Sequence, residues 1–179
     1  MGKDSCYIAL LRGINVSGHK KILMKDLTML LEACGFTNVK TYIQSGNVVF
    51  NSAKNNDLDV LIHNKIKEAY GWKVPILVVT AQKVKDILEQ CPFDQDKQLS
   101  SYYCLPLIAP QAQNVAKLKE YSFEAEEYSI TNNCIYLFYD QGAGTAKMTN
   151  NFIENKLKVS CTSRNHRTML KLLSMANHA

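Results

Sequence analysis

The chain has 179 residues, of which 46% are hydrophobic and 21% charged, and its formal net charge is +5. This is ordinary globular usage, and the length suffices for one large hydrophobic core or two small ones. No apolar run approaches the ~20 residues that a membrane span needs, and the N-terminus lacks the apolar segment of a signal peptide. We therefore expect a cytoplasmic protein with no membrane partner.

The six cysteines stand singly among apolar neighbours, and no pair has the C-x-x-C spacing of a zinc or redox motif. The four histidines form no H-x-x-x-H pair. The sequence thus predicts buried, reduced thiols, no metal site and no cofactor.

Charge is distributed unevenly along the chain. Residues 92–140 hold three basic and seven acidic side chains, whereas residues 141–179 hold six basic and one acidic. The basic C-terminal stretch indicates an anionic partner, either a small molecule or nucleic acid. A solvated basic surface is the alternative.

The first half of the sequence predicts secondary-structure elements in the order βαββαβ. A continuous apolar run is typical of a central strand, apolar residues three and four apart indicate a helix, and Ser-Gly-Asn is typical of a hairpin turn. In chain order we expect a strand at 6–11, a helix through 27–34, strands at 39–43 and 48–51, a helix capped by Asp57, a strand at 74–79 and a helix from Thr80.

The second half repeats this order more loosely. We expect a strand at 102–108, a helix from Pro110, a hairpin of 123–130 and 134–139, a helix capped at Thr149 or Asn150, and a closing helix with Met169 and Leu172 on its apolar face. The predicted class is α+β, with two ferredoxin-like (βαββαβ-type) subdomains in one compact unit. Their predicted bounds are 1–91 and 100–179, with a polar linker at 92–99.

Three polar segments are candidate sites. The loop 12–21 combines two glycines with Arg12, Asn15 and Lys20, the donors that bind phosphate or carboxylate, although it matches no nucleotide-binding motif. Its polar residues could equally serve to fix the shape of the loop. The hairpin turn offers the amides of Gln44 and Asn47, which an ordinary tight turn also explains.

The third segment, 162–168, lies at the predicted start of the last helix. Arg164 and Arg167 are unusual there, since the helix dipole favours acidic residues at an N-terminus. A bound anion would explain them, and so would pairing with acidic residues of 92–140.

The runs Tyr7–Val16, Thr41–Phe50 and Thr162–Asn165 with Arg167 and Thr168 resemble the signatures of the bacterial domain-of-unknown-function 1697 family. The resemblance spans nearly the whole chain. It implies two ferredoxin-like α+β subdomains and no established activity.

Two positions depart from the family pattern. His166 stands where the family often has Trp, and Ala146 stands where Ser is usual in a Gly-Arg-Ser-Lys-like loop. A serine at that loop position is therefore not an indispensable nucleophile.

Our leading hypothesis is a protein that binds a phosphate- or carboxylate-bearing ligand: a nucleotide, a metabolite or nucleic acid. The alternatives are an enzyme of unknown reaction that uses His19 or His166 as an acid–base group, and an interaction module without a small ligand. The candidate contacts are Arg12, Asn15, Lys20, Gln44, Asn47, Lys147, Arg164, Asn165 and Arg167.

Overall fold

A computed structural model describes residues 4–16 and 18–178. These residues form two four-stranded antiparallel sheets and seven helices, which confirms the α+β class. They divide into two compact units: residues 4–85 with 171–178, and residues 86–170. We call these the first and the second unit.

The first unit has the predicted order βαββαβ. It contains β1 (Ser5–Leu11), α1 (Met24–Glu32), β2 (Thr37–Tyr42), β3 (Asn47–Ser52), α2 (Leu58–Tyr70) and β4 (Ile76–Thr80). The sheet order is β2-β3-β1-β4, and all neighbours are antiparallel. Leu27 and Leu31 of α1, and Ile62 and Ile66 of α2, recur at i and i+4, and they pack with Phe50 of β3 in the core.

The second unit repeats this order. After α3 (Ala81–Glu89) come α4 (Gln95–Leu99), β5 (Tyr102–Pro106), α5 (Ala112–Lys119), β6 (Glu126–Ile130), β7 (Ile135–Tyr139), α6 (Asn150–Leu157), β8 (Cys161–Asn165) and α7 (His166–Asn177). Helices α3 and α7 each have residues in both units. The sheet order, β6-β7-β5-β8, is the pattern of the first unit. Leu118 of α5, with Ile153 and Leu157 of α6, packs against Ile135 and Leu137 of β7.

Strand β8 was not predicted. Its residues Cys161–Asn165 are mostly polar and therefore resemble a loop, but they pair antiparallel with β5, with Arg164 opposite Tyr103. Arg164 thus lies in a strand and not in the first turn of the last helix, which corrects the expectation above. Pairing with a central strand determined the structure of a segment whose own composition gave no strand signal.

Two further local features differ from the prediction. Asp57 precedes α2 in a left-handed conformation, φ 55°, and makes no side-chain capping bond. The predicted linker 92–99 contains α4, where the Asp94 carboxylate accepts a hydrogen bond from the Lys97 N–H at 2.9 Å. The proposed bounds of the subdomains stay a prediction.

Candidate functional site

Asn15 fixes the loop that follows β1. Its Nδ2 donates to the carbonyl oxygens of Ile22 and Gln44, each at 2.9 Å, and its Oδ1 accepts from the Ile22 N–H at 2.8 Å. One side chain therefore joins both ends of the loop to the turn between β2 and β3. Of the two roles that the sequence left open for Asn15, these bonds favour the structural one.

The turn between β2 and β3 is held by Gly46 and Asn47. Gly46 has φ 79° and lies against β1, where its carbonyl accepts from the Leu11 N–H at 2.8 Å. Asn47 is fully buried, and its Nδ2 donates to the Tyr42 carbonyl at 3.1 Å and to Ser45 Oγ at 3.0 Å. The amide of Asn47 is thus used within the turn.

A cleft of about 360 Å³ lies between this loop and this turn; we call it the first cleft. Its lining residues are Asn15, Gly18, Lys21, Ile22, Leu23, Met24 and Gln44. Helix α1 begins here at Met24, and Leu23 occupies the N-cap without a side chain that accepts a hydrogen bond. The first N–H groups of a helix have no partner within it, so donors and a partial positive charge lie at this end of α1, where Asp26 in the first turn adds a negative charge.

The backbone around the first cleft is strained. Asn15, Lys20 and Ile43 have φ of 55°, 47° and 48°, a left-handed conformation that is rare for residues other than glycine. Ile43 is the most unusual of the three, because its side chain is β-branched and 51% exposed. Strain of this kind concentrates at binding sites, where the surrounding structure holds it in place.

The predicted cations of this loop differ in their surroundings. Arg12 is half-buried, and its backbone N–H donates to the Pro75 carbonyl at 2.9 Å. Lys20 Nζ donates to the Lys73 carbonyl at 2.9 Å. Lys21 is exposed and lines the cleft, although the sequence did not single it out. Composition cannot distinguish two adjacent lysines, and it is the tertiary structure that places Lys21 in the cleft lining and Lys20 against the Lys73 carbonyl.

Arg164 in the second unit is 9% exposed. Its Nη1 donates to Thr162 Oγ1 at 2.9 Å and to the Ser163 carbonyl at 2.8 Å, both in its own strand. Burial lowers the pKa of its guanidinium to about 10. These bonds within β8 hold Arg164 in place as part of the sheet.

The three candidate residues at the start of α7, Asn165, His166 and Arg167, have different surroundings. Asn165 Oδ1 accepts from the Thr168 N–H at 2.9 Å and so caps the helix, while Arg167 is exposed in the first turn. His166 is buried, and its Nδ1 lies 2.7 Å from the Tyr103 hydroxyl. Burial lowers the pKa of His166 and raises that of Tyr103, so both environments favour the neutral forms, and the hydrogen bond joins a neutral imidazole to a phenol.

The Gly-rich loop before α6 already holds an anion of the protein itself. The two carboxylate oxygens of Glu126 accept from the backbone N–H groups of Lys147 and Met148, at 2.5 and 2.8 Å. The Lys147 side chain is exposed. Its backbone donor therefore serves Glu126, and its ammonium group faces solvent.

The thiols and helices give further findings. All six cysteines are free; four are buried, and Cys6 and Cys34 are half-buried. In the part of the chain that the structure describes, no three or more His, Cys, Asp or Glu side chains lie close enough together to hold a metal ion. None of the helices described combines the length and apolar character needed to cross a membrane.

Comparison with known proteins places the fold and the family. The structure is similar to that of the conserved bacterial protein SP0830 from Streptococcus pneumoniae, with a TM-score of 0.69 and 20% identity, over 97% of this chain and 99% of that one. No curated protein matches the chain. The profile of the family described as "Protein of unknown function (DUF1697)" matches residues 5–136, and the chain belongs to that family.

Proposed function

We propose that the protein binds a small phosphate- or carboxylate-bearing ligand in the first cleft. The observation that carries this proposal is the start of α1 at Met24, with Leu23 at its N-cap, beside the exposed Lys21 in a cleft of about 360 Å³. Helix N–H groups, a helix dipole and an ammonium group together bind an anion more strongly than any one of them.

The remaining lining defines the rest of the ligand. Gln44 offers an exposed side-chain amide, while Ile22, Leu23 and Met24 offer apolar surface. Clefts of this size bind small molecules by apolar contact and a few polar groups that fix orientation. A nucleotide or a phosphorylated or carboxylated metabolite fits this description better than a long nucleic acid.

The proposal changes the roles of the predicted residues. Gln44 remains a contact and Lys21 joins it, whereas Asn15 and Asn47 shape the cleft walls. Arg12, Lys20, Lys147, Arg164, Asn165 and Arg167 stay predictions as contacts, as do the histidine-based enzyme and the module without a small ligand. For the fold, we propose that each unit is ferredoxin-like, which the order βαββαβ and the matching strand orders support.

A thermal-shift screen tests the proposed function. The protein is tested against nucleotides, phosphorylated and carboxylated metabolites, and short RNA and DNA oligomers, at two salt concentrations. We expect a rise in melting temperature with one class of small anion, and binding that Lys21→Gln weakens about tenfold. A steep loss of affinity with salt would instead indicate nucleic acid.

Lys54→Gln is the matched control, because Lys54 is an exposed lysine of the same unit outside the cleft. It should bind like the wild type. The proposal is wrong if no small anion raises the melting temperature, or if both lysine variants lose the same affinity.

A further inference from the structure

The second unit has a cleft at the topologically equivalent position, between the helix after its first strand and the turn of its hairpin. This second cleft measures about 400 Å³. Its lining residues are Ala109, Pro110, Ala112, Val115, Ala116, Lys119, Ile130, Thr131 and Asn132. The lining is mostly small and apolar, and Lys119 is its one charged side chain.

One face of α5 forms a wall of the second cleft. Ala112, Val115, Ala116 and Lys119 follow at i, i+3, i+4 and i+7, the spacing of a single helix face. Three of them are small or short side chains, which leave room for another chain to approach the helix closely. The cleft is therefore a groove with a smooth apolar wall.

The opposite side of the groove is formed by Ile130, the last residue of the edge strand β6, and by Thr131 and Asn132 of the turn that follows it. Within the described residues β6 has one neighbour, β7. The Thr131 N–H donates to the Cys134 carbonyl, and the Ala125 carbonyl accepts from the Asp140 N–H. Because hydrogen bonding alternates along an antiparallel strand, the backbone groups of the residues between them, Tyr128 and Ile130, point away from β7.

The part of this edge at 128–130 lacks the usual protection against added strands. Glu126 directs its carboxylate to the loop amides at 147 and 148, and Glu127 pairs with Lys97 at 2.7 Å. The stretch from Tyr128 to Ile130 carries no charge, and β6 pairs with β7 without a register shift. Edge strands that are not meant to pair are normally blunted by charges, prolines or bulges.

Lys119, the last residue of α5, lies at the end of the groove nearest to Tyr128. The Tyr128 hydroxyl donates to the carbonyls of Leu118 and Tyr121, at 3.0 and 2.6 Å, which places the C-terminal end of α5 beside Tyr128. Ile130 and Asn132 line the other end, with Ala109. A strand added antiparallel to β6 would therefore run towards Lys119 and end there.

We propose that this groove binds the C-terminal segment of an extended peptide. The peptide adds as a strand antiparallel to the edge of β6, places a small apolar side chain against Ala112 and Ala116, and sets its α-carboxylate at Lys119. Backbone hydrogen bonds to Tyr128 and Ile130 supply affinity, and the cleft supplies specificity. This site is independent of the first cleft and of the proposed function.

The test uses fluorescein-labelled hexapeptides of alternating serine and valine that end in valine, with a free or an amidated C-terminus. Fluorescence anisotropy measures binding to the full chain, and hydrogen exchange measures protection of the Tyr128 and Ile130 N–H groups. We expect saturable binding, slower exchange at both amides, and a free-acid peptide that binds about fivefold more tightly than the amide.

Variants separate the parts of the site. Lys119→Gln should weaken the free acid about fivefold and leave the amide unchanged, whereas Lys117→Gln, on the same helix outside the groove, should change neither. Ala116→Gln should fill the groove and abolish binding, with an unchanged melting temperature as the check on folding. Binding without protection of Tyr128 and Ile130, equal binding of acid and amide, or no binding would each overturn the proposal.

Discussion

The two units place a cleft at the same point of the same topology and line it differently. In the first unit the long connection 12–23 forms one wall of the cleft, with polar side chains and left-handed backbone. In the second the short connection 107–111 leaves helix α5 itself as the wall, and the side chains that α5 contributes are Ala112, Val115, Ala116 and Lys119. The sheet order thus fixes where a cleft forms, whereas the length and composition of one connection decide which side chains line it.

The edge strands beside the two clefts differ as well. The register of β2 shifts between Thr37 and Lys40, where Asn38 has φ 50°, so this edge is irregular and carries a lysine. β6 is regular. A bulge interrupts the row of backbone donors and acceptors with which an added strand would pair, so β6 is the more regular edge of the two, and its charges, Glu126 and Glu127, lie at its N-terminal end.

The largest expected effect tests the rigid turn of the first cleft. In Gly46→Ala the new methyl group would lie 2.7 Å from Leu11 Cβ and 3.1 Å from Ile14 Cγ1, at φ 79°. Both the contact and the left-handed conformation cost free energy, so we expect the free energy of unfolding to fall by about 3 kcal/mol, measured by urea denaturation.

Gly142→Ala in the second unit is the matched control. Gly142 has φ 80°, but a methyl group there would meet none of the described atoms within 4 Å. The expected loss is about 1 kcal/mol, from the backbone conformation alone. Equal losses at the two glycines would contradict a tight approach of the turn to β1.

The next prediction compares Asn15 and Thr131, whose side chains hydrogen-bond to the backbone beside the first and the second cleft. Asn15→Ala removes three hydrogen bonds. It also places alanine in a left-handed conformation that asparagine tolerates better, so we expect the free energy of unfolding to fall by about 2 kcal/mol. Thr131→Val in the second unit removes the hydroxyl bonds to the backbone of Asn133 and Cys134, for about 1 kcal/mol. Chemical denaturation of both variants gives the comparison, and a larger loss in Thr131→Val would reverse it.

Two arginines of the second unit, Arg164 in β8 and Arg167 in α7, give a third comparison. Arg164→Met leaves Thr162 and the Ser163 carbonyl without their buried donor, so we expect a loss of about 1–2 kcal/mol. Arg167→Met, three residues on and exposed, should stay within about 0.5 kcal/mol of wild type. Thermal melting distinguishes them. Equal effects would mean that the two arginines are equivalent after all, as the sequence implied.

How far the sequence predicts the fold is visible in the last strands of the two units, β4 and β8. β4 is a run of apolar residues and was predicted, whereas β8 is polar and became visible only through its pairing with β5. The positions of the polar loops were predicted, but the roles of their side chains were not. A buried asparagine in a turn and an asparagine that contacts a ligand have the same sequence signal, and burial comes from the tertiary structure.

The smallest effect is a pH dependence that comes from His166 in the second unit. Burial holds the pKa of His166 below its ordinary value. As pH falls below about 6.5, the unfolded chain binds a proton that the folded state rejects. Stability is therefore full above that pH and declines as pH falls towards the lower pKa of folded His166.

Urea unfolding at pH 7.5, 6.5 and 5.5 measures this decline. In His166→Gln the amide can still accept the hydrogen bond from Tyr103 but does not titrate, so its stability should fall less steeply over this range than that of the wild type. His19→Gln, in the exposed loop, should keep the wild-type slope. If the two variants had equal slopes, the buried pair of His166 and Tyr103 would not be the source of the pH dependence.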